Sequence, residues 1–167
     1  MCLRENNHKK YEGRAGHVST LCIVPCGKRK IWIKNPLAGP TPARDVYIGS
    51  FARTCICYAQ TFHPHSFCIL SAKHGFLRPK ELIAEDYNVS FKLLKTNPIS
   101  VEKLIESAAF KGLYEYQQII AIVGLEYLTR IRAVFPDKKI STPLEPCRNM
   151  GEMISALTKA IHSGNPL

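Results

Sequence analysis

No apolar run in this sequence approaches the roughly 18 residues that a membrane-spanning helix needs, so no membrane attachment is expected. The charges near the N-terminus are followed by no apolar stretch, so no secretory signal is expected either and a cytoplasmic location is read. Acidic residues are scarce: 13 Asp and Glu face 23 Lys and Arg, a net charge of +10 on 167 residues. That imbalance favours a polyanionic partner, DNA or RNA, over the alternative of a basic but merely solvated surface. Neither a Walker phosphate loop nor a dinucleotide fingerprint occurs, which argues against an NTPase or a Rossmann dehydrogenase.

Cysteine is not scarce, but its seven copies are odd in number and form no Cys-x-x-Cys pair, so reduced thiols fit better than a disulfide framework. His63, His65 and Cys68 cluster without the spacing of a zinc site. Cys55 and Cys57 would point about 200° apart on a helix. No metal and no cofactor is expected. Repeats, heptads and low-complexity tracts are missing too.

Residues 1 to 17 are polar and without period, and read as a basic, flexible arm. The remainder, 18 to 167, has the length of a single domain with a full core. Val18 to Pro25 is a continuous apolar run and reads as a first buried strand. Cys26 to Ala43 is a long loop holding Trp32, the only tryptophan. Tyr47, Phe51, Cys55 and Tyr58 share one helical face, which predicts a helix from Arg44 to Phe62 that stops before Pro64. Ser66 to Ser71 is a second buried strand, followed by a loop from Ala72 to Pro79; residues 80 to 99 read as irregular with a short helix or extended piece.

Ser100 is a plausible N-cap for a helix carrying Val101, Leu104, Ile105, Ala108 and Ala109. Gln118 to Val123 gives a third strand, Leu125 to Phe135 a helix, and Lys139 to Thr142 a fourth strand. The last helix runs from Met150 to Ile161, with Asn149 and Glu152 at capping-box spacing. Buried strands alternating with helices imply a mainly parallel α/β sheet of four strands, covered on both sides.

Three segments carry candidate chemistry. Cys26-Gly27-Lys28-Arg29-Lys30 follows the first strand directly; Gly27 permits a tight turn and the cations suit phosphate. Cys26 beside cations could be a nucleophile, though a buried cysteine is more often a small hydrophobe. Arg44 and Asp45, with Tyr47 and Ser50 behind them, either form an ordinary first-turn charge pair or face the same cleft as Cys26. Ser71, Lys73, His74 and Phe76 follow the second strand and precede Asp86 and Tyr87; they suit a phosphate or a base edge with an aromatic stacking face, or else a loop turned by Gly75.

Together these segments resemble a bacterial and archaeal family. Its pattern is a strand ending in Cys-Ser/Gly-x-x-Lys, then Ala-Arg-Asp-x-Tyr-x-Gly-Ser, then Leu-Ser-Ala-Lys-Tyr/His-Gly-Leu with a later Tyr. Here these are Cys26 to Lys30, Ala43 to Ser50, and Leu70 to Leu77 with Tyr87. That family is similar to the uracil-DNA-glycosylase-like superfamily, and Ser141-Thr142-Pro143-Leu144 before Arg148 and Gly151 resembles the superfamily's His-Pro-Ser-Pro-Leu segment.

The resemblance implies a three-layer α/β/α fold with a short, mainly parallel four-stranded sheet, a pocket for a flipped-out base and chemistry at the glycosidic bond. Two departures stand out. The superfamily's histidine position falls on Ile140, and its water-activating Asp or Asn loop is replaced by Cys26-Gly27-Lys28.

The leading expectation is therefore a base-excising, DNA glycosylase-like enzyme. Lys28, Lys30, Lys73 and Arg148 would hold phosphates and Tyr87 or Phe76 would stack the base. Asp45, or next Asp86, would position water. The alternatives are a non-catalytic DNA- or RNA-binding module, including one accessory to tRNA base modification, and a thiol enzyme acting on a nucleotide through Cys26.

Overall fold

The computed structural model of the protein describes residues 18–167, so the basic arm expected over 1–17 lies outside the described residues. The elements are β1 (Thr20–Pro25), β2 (Thr41–Pro42), α1 (Ala43–Val46), α2 (Ser50–Phe62), β3 (Phe67–Ser71), β4 (Gly75–Leu77), β5 (Leu82–Ile83), α3 (Val101–Phe110), β6 (Gln118–Ala121), α4 (Leu125–Val134), β7 (Lys139–Ser141) and α5 (Met150–Ser163). They make a mixed α/β structure around a five-stranded sheet of order β4-β3-β1-β6-β7, with β2 and β5 in a separate ribbon.

β1 is the centre of that sheet because it offers apolar side chains to both faces. Val24 pairs with Ile69 of β3, Ile23 with Ala121 of β6, and Ile119 of β6 with Ile140 of β7, all in parallel. Cys22 and Val24 pack in a cluster with Ala52, Cys55 and Ile56 of α2 and Leu157 of α5. Leu21 and Ile23 pack in the other cluster, with Leu104 of α3 and Leu128 and Ile131 of α4. Burying each such Leu, Ile or Val contributes about 1.5–3 kcal/mol, and this two-sided burial is what a run without alternation encodes. Because β1, β3, β6 and β7 all run the same way, their carboxyl ends open on one rim, where α/β sheets bind ligands.

The four expected strands are all present, but the sheet has a fifth. Residues 75–77, expected in a loop, form β4 antiparallel to β3, with Leu70 opposite Phe76. The turn is possible because Gly75 adopts φ +73°, and a Cβ there would meet the Ser107 hydroxyl at 3.0 Å.

The helix expected from Arg44 to Phe62 is likewise broken. α1 ends at Val46, Tyr47 is extended and bridges Lys30 in antiparallel fashion, and the Ile48 amide donates to the Arg29 carbonyl at 2.9 Å. The backbone of Tyr47 and Ile48 thus serves the first loop rather than a helix, while the Gly49 carbonyl accepts from the Arg53 amide of α2. α2 starts afresh at Ser50.

Residues 80–99 are irregular except for the short extended piece β5, where Ile83 pairs with Thr41 of β2, and one helical turn at Leu94–Thr96. Beyond β5 the chain arches over the rim towards α4, ion-pairing Lys92 with Glu126, and returns where the Ile99 amide donates to the Ala72 carbonyl. The predicted caps form, with Ser100 accepting from the Lys103 amide and Asn149 from the Glu152 amide. Among the described residues no helix is long and apolar enough to cross a membrane.

Candidate functional site

The Cys26 amide donates to the Leu70 carbonyl at 3.0 Å, carrying the β1–β3 pairing one step past the strand. Gly27 then presses against the first turn of α2. A Cβ on it would stand 3.0 Å from the Ala52 Cβ and 3.5 Å from the Tyr47 Cβ, so the close approach requires glycine. Lys28 and Arg29 project into solvent.

Lys30 does the opposite and is only 2% exposed. Its Nζ donates to the Tyr87 carbonyl at 2.5 Å and to the Lys28 carbonyl at 3.2 Å, pairs with the Asp86 carboxylate at 3.4 Å, and lies 4.0 Å from the centre of the Tyr87 ring. A buried cation needs several such partners, and these are the groups that supply them.

Tyr87 is the point where the three sequence segments meet. Its hydroxyl lies 2.7 Å from that of Tyr47 and 2.9 Å from that of Ser71. Ser71 Oγ accepts in turn from the amides of Lys73 and His74, at 3.2 and 3.1 Å. The His74 ring meets the Tyr87 ring edge-on at 5.0 Å, and Lys73 Nζ lies 5.4 Å from its centre while pairing with Glu85. Burial, then Cys26, pushes the Tyr87 hydroxyl well up, and burial followed by Tyr87 and Cys26 does the same to Tyr47. Both stay protonated donors at neutral pH. Burial, then the Lys73 cation, lowers His74 and favours a neutral ring.

A fourth element joins them. Tyr127, in the first turn of α4, places its hydroxyl 3.1 Å from Cys26 Sγ, and burial pushes this phenol up as well. Phe91 of the arching segment sits edge-on to Tyr127 at 5.2 Å and under the Arg130 guanidinium at 4.5 Å. Tyr127 carries no motif, and its place beside the apolar stripe of Leu125, Leu128 and Ile131 hid it.

Other expectations are met differently: some of the residues lie in the site in another role, and others fall elsewhere. Lys30 is buried, so it clamps the Asp86–Tyr87 segment instead of reaching for phosphate. Phe76 is fully buried against Phe135 and belongs to the core on the α3 and α4 side, so it has no free face for a base. Tyr87 is 8% exposed, its ring covered by Lys30 and His74, so it organises the site more than it offers a stacking surface. Arg44 and Asp45 pair with each other at 3.5 Å on the exposed side of α1. Asp86 is half exposed and accepts from the Tyr87 amide at 2.7 Å. Ser50 opens α2 at the surface. Arg148 precedes α5, highly exposed and held to Glu152 at 3.0 Å. Among the described residues no group of three His, Cys, Asp or Glu side chains is placed to hold a metal ion.

These features define an α/β protein whose mostly parallel sheet carries, along one rim, a polar site of one thiol, one serine, three tyrosines and a buried lysine. The chain belongs to a family of unknown function, DUF6884, whose model matches residues 21–159. It is 37% identical over 148 residues to the uncharacterized protein YfjM of Bacillus subtilis (strain 168), covering 88% of this chain and 98% of that protein. No solved structure matches it.

Proposed function

We propose that this rim is a nucleic-acid site that holds one nucleotide and hydrolyses its N-glycosidic bond, in a three-layer α/β/α fold of the uracil-DNA-glycosylase-like kind. The observation that carries the reading is the convergence of the three segments on Tyr87, which makes one site out of loops distant in the chain. Exposed Lys28 and Arg29, with Lys73 beside Tyr87, supply phosphate contacts.

In this reading Asp86 takes precedence over Asp45 as the carboxylate that acts on water, because Lys30 and the Tyr87 amide fix it beside the converging loops. Water attacks C1′ and gives its proton to the carboxylate, while the base departs with the electron pair of the C1′–N bond. The developing positive charge on the sugar gains from the same carboxylate. Oligonucleotides bearing uracil or other altered bases, incubated with the protein and then treated with alkali, should break at the abasic site. Asp86→Asn should abolish breakage and Asp45→Asn should weaken it less.

The Lys30–Asp86 ion pair also favours a second reading, a DNA- or RNA-binding module without catalysis, in which the carboxylate is committed to structure. It is expected to bind the same oligonucleotides and leave every base in place.

A further inference from the structure

We propose that Leu93 and Leu94 in the arching segment, with Leu125 at the start of α4, form an apolar platform for the bases of an unpaired nucleic-acid strand, beside the held nucleotide. This rests on the reading of the rim as a nucleic-acid site and tilts that site towards unpaired strands. The three leucines are 50%, 73% and 72% exposed. Leu125 opens α4 at the carboxyl end of β6, two residues before Tyr127, whose hydroxyl touches Cys26. The ion pair between Lys92 and Glu126, at 3.2 Å, sets Leu93 and Leu125 close together, since each adjoins one member of the pair. Single exposed leucines are ordinary on a protein surface, but three gathered at one rim mark a contact surface.

The turn that carries Leu93 and Leu94 is cross-braced. The Leu93 amide donates to the Ser90 carbonyl at 3.2 Å, and the Thr96 and Asn97 amides donate to the Leu93 and Leu94 carbonyls, each at 2.9 Å. Thr96 Oγ1 accepts from the Ser90 amide at 2.9 Å and donates to the Leu93 carbonyl at 2.6 Å. Phe91, buried against Tyr127 and Arg130, roots the turn on α4. Both leucines are thus held outward with little left to order on binding.

Charge decides the occupant. The protein carries +10, and beside the leucines stand exposed Lys92 and Lys95, the second of which makes no ion pair among the described residues. Lys28 and Arg29 follow Cys26 in the first loop, so exposed cations adjoin both sides of the Cys26–Tyr127 contact. Phosphates drawn to those cations bring their bases to the leucines. The flat face of a base is covered by its neighbours in a duplex and open in a single strand, where burying it on leucine is favourable.

Fluorescence anisotropy with labelled oligodeoxynucleotides that carry no altered base tests this surface apart from any glycosidic chemistry. The full-length protein should bind a single strand about tenfold more tightly than a strand of equal length whose sugars lack bases. The double variant Leu94→Ser/Leu125→Ser should weaken single-strand binding by about tenfold and duplex binding by less than about twofold. Both side chains are exposed, so the fold is kept, and the retained duplex affinity reports it. Lys95→Ala should lower the slope of log affinity against log salt for the single strand by about 0.7. Losses of equal size for duplex and single strand, no loss for either, or equal wild-type affinity for the baseless strand would overturn the platform and leave the leucines to a protein partner. Failure to bind any strand would overturn the nucleic-acid reading of the rim with it. Release of a base by a protein indifferent to these leucines would overturn the platform alone.

Discussion

The hydroxyls of Tyr47 and Tyr87 stand 2.7 Å apart, buried, although forty residues separate them in the chain. That contact ties the break between α1 and α2 to the segment arching over the sheet, and Ser71 extends it to the end of β3. Tyr87 has two hydroxyl partners and Tyr47 has this one. Tyr87→Phe should therefore cost about 2 kcal/mol and Tyr47→Phe about 1 kcal/mol, since each buried hydrogen bond contributes about 1 kcal/mol. Urea unfolding measures both, and a Tyr47→Phe loss as large as that of Tyr87→Phe would contradict this hierarchy.

Lys30 binds the first loop to the same segment through the carbonyls of Lys28 and Tyr87. Lys30→Met fills similar volume but leaves those carbonyls without their donor, and should lower stability by roughly 1–3 kcal/mol. The loss should change little between low and high salt, because the cation is shielded from solvent. Asp86→Asn, at a half-exposed partner, should cost less than about 1 kcal/mol. Denaturation curves for both variants at two salt concentrations decide whether Lys30 is held mainly by the carbonyls or by the carboxylate.

β1 and β3 were legible because each is a short apolar run buried on both faces, although β6 is half-buried and β7 is a largely exposed edge strand; the caps at Ser100 and Asn149 were legible because capping is local chemistry. What escaped detection depended on distant partners. β4 has three residues and begins on a glycine, so no period could declare it. Tyr47 and Phe51 keep helical spacing across the α1–α2 break, which is made by Lys30 and Arg29 from another loop. The three cations of the first loop look alike in sequence, yet only the structure separates buried Lys30 from exposed Lys28 and Arg29. The gathering of the three segments at one site was legible because each follows or faces the end of a parallel strand. The part of Tyr127 was not, since it depends on where α4 begins.

Gly27 lies where the first loop touches α2, with 3.0 Å between its hypothetical Cβ and that of Ala52. Gly27→Ala must displace the loop or the helix and should cost about 1–2 kcal/mol through overpacking. Ala52→Gly alone should cost up to about 1 kcal/mol through helix propensity. The double variant should be more stable than the sum of the two losses implies, and a thermodynamic cycle on unfolding free energies reads that coupling directly.

The proposed nucleic-acid site makes distinct demands on the location of charge. Lys28→Ala and Arg29→Ala should each weaken binding of a duplex and reduce the slope of log affinity against log salt by about 1, as expected for loss of one phosphate contact. Lys30→Met should leave that slope unchanged, because its cation is not at the surface. Fluorescence anisotropy titrations across a salt series would show it. Slopes untouched by Lys28→Ala and Arg29→Ala would place the nucleic acid away from this loop.

His74 makes stability depend on pH over a window that can be named. Burial first, then Lys73, lowers it in the folded protein, and burial also lowers His63. For each histidine the unfolded chain binds the proton more readily, so this stabilisation is complete above the unfolded value of about 6.5. It is lost as pH falls through the folded value. Glu102, Glu126 and Glu152 are also lowered, but from 4.5, so their losses begin at more acidic pH. The fall in unfolding free energy between pH 7.5 and 5.5 should therefore be largely histidine-borne. His74→Gln should flatten it in part and His63→Gln in part, with the double variant nearly level. Urea midpoints at the two pH values test this, and an undiminished fall in the double variant would assign it to other groups.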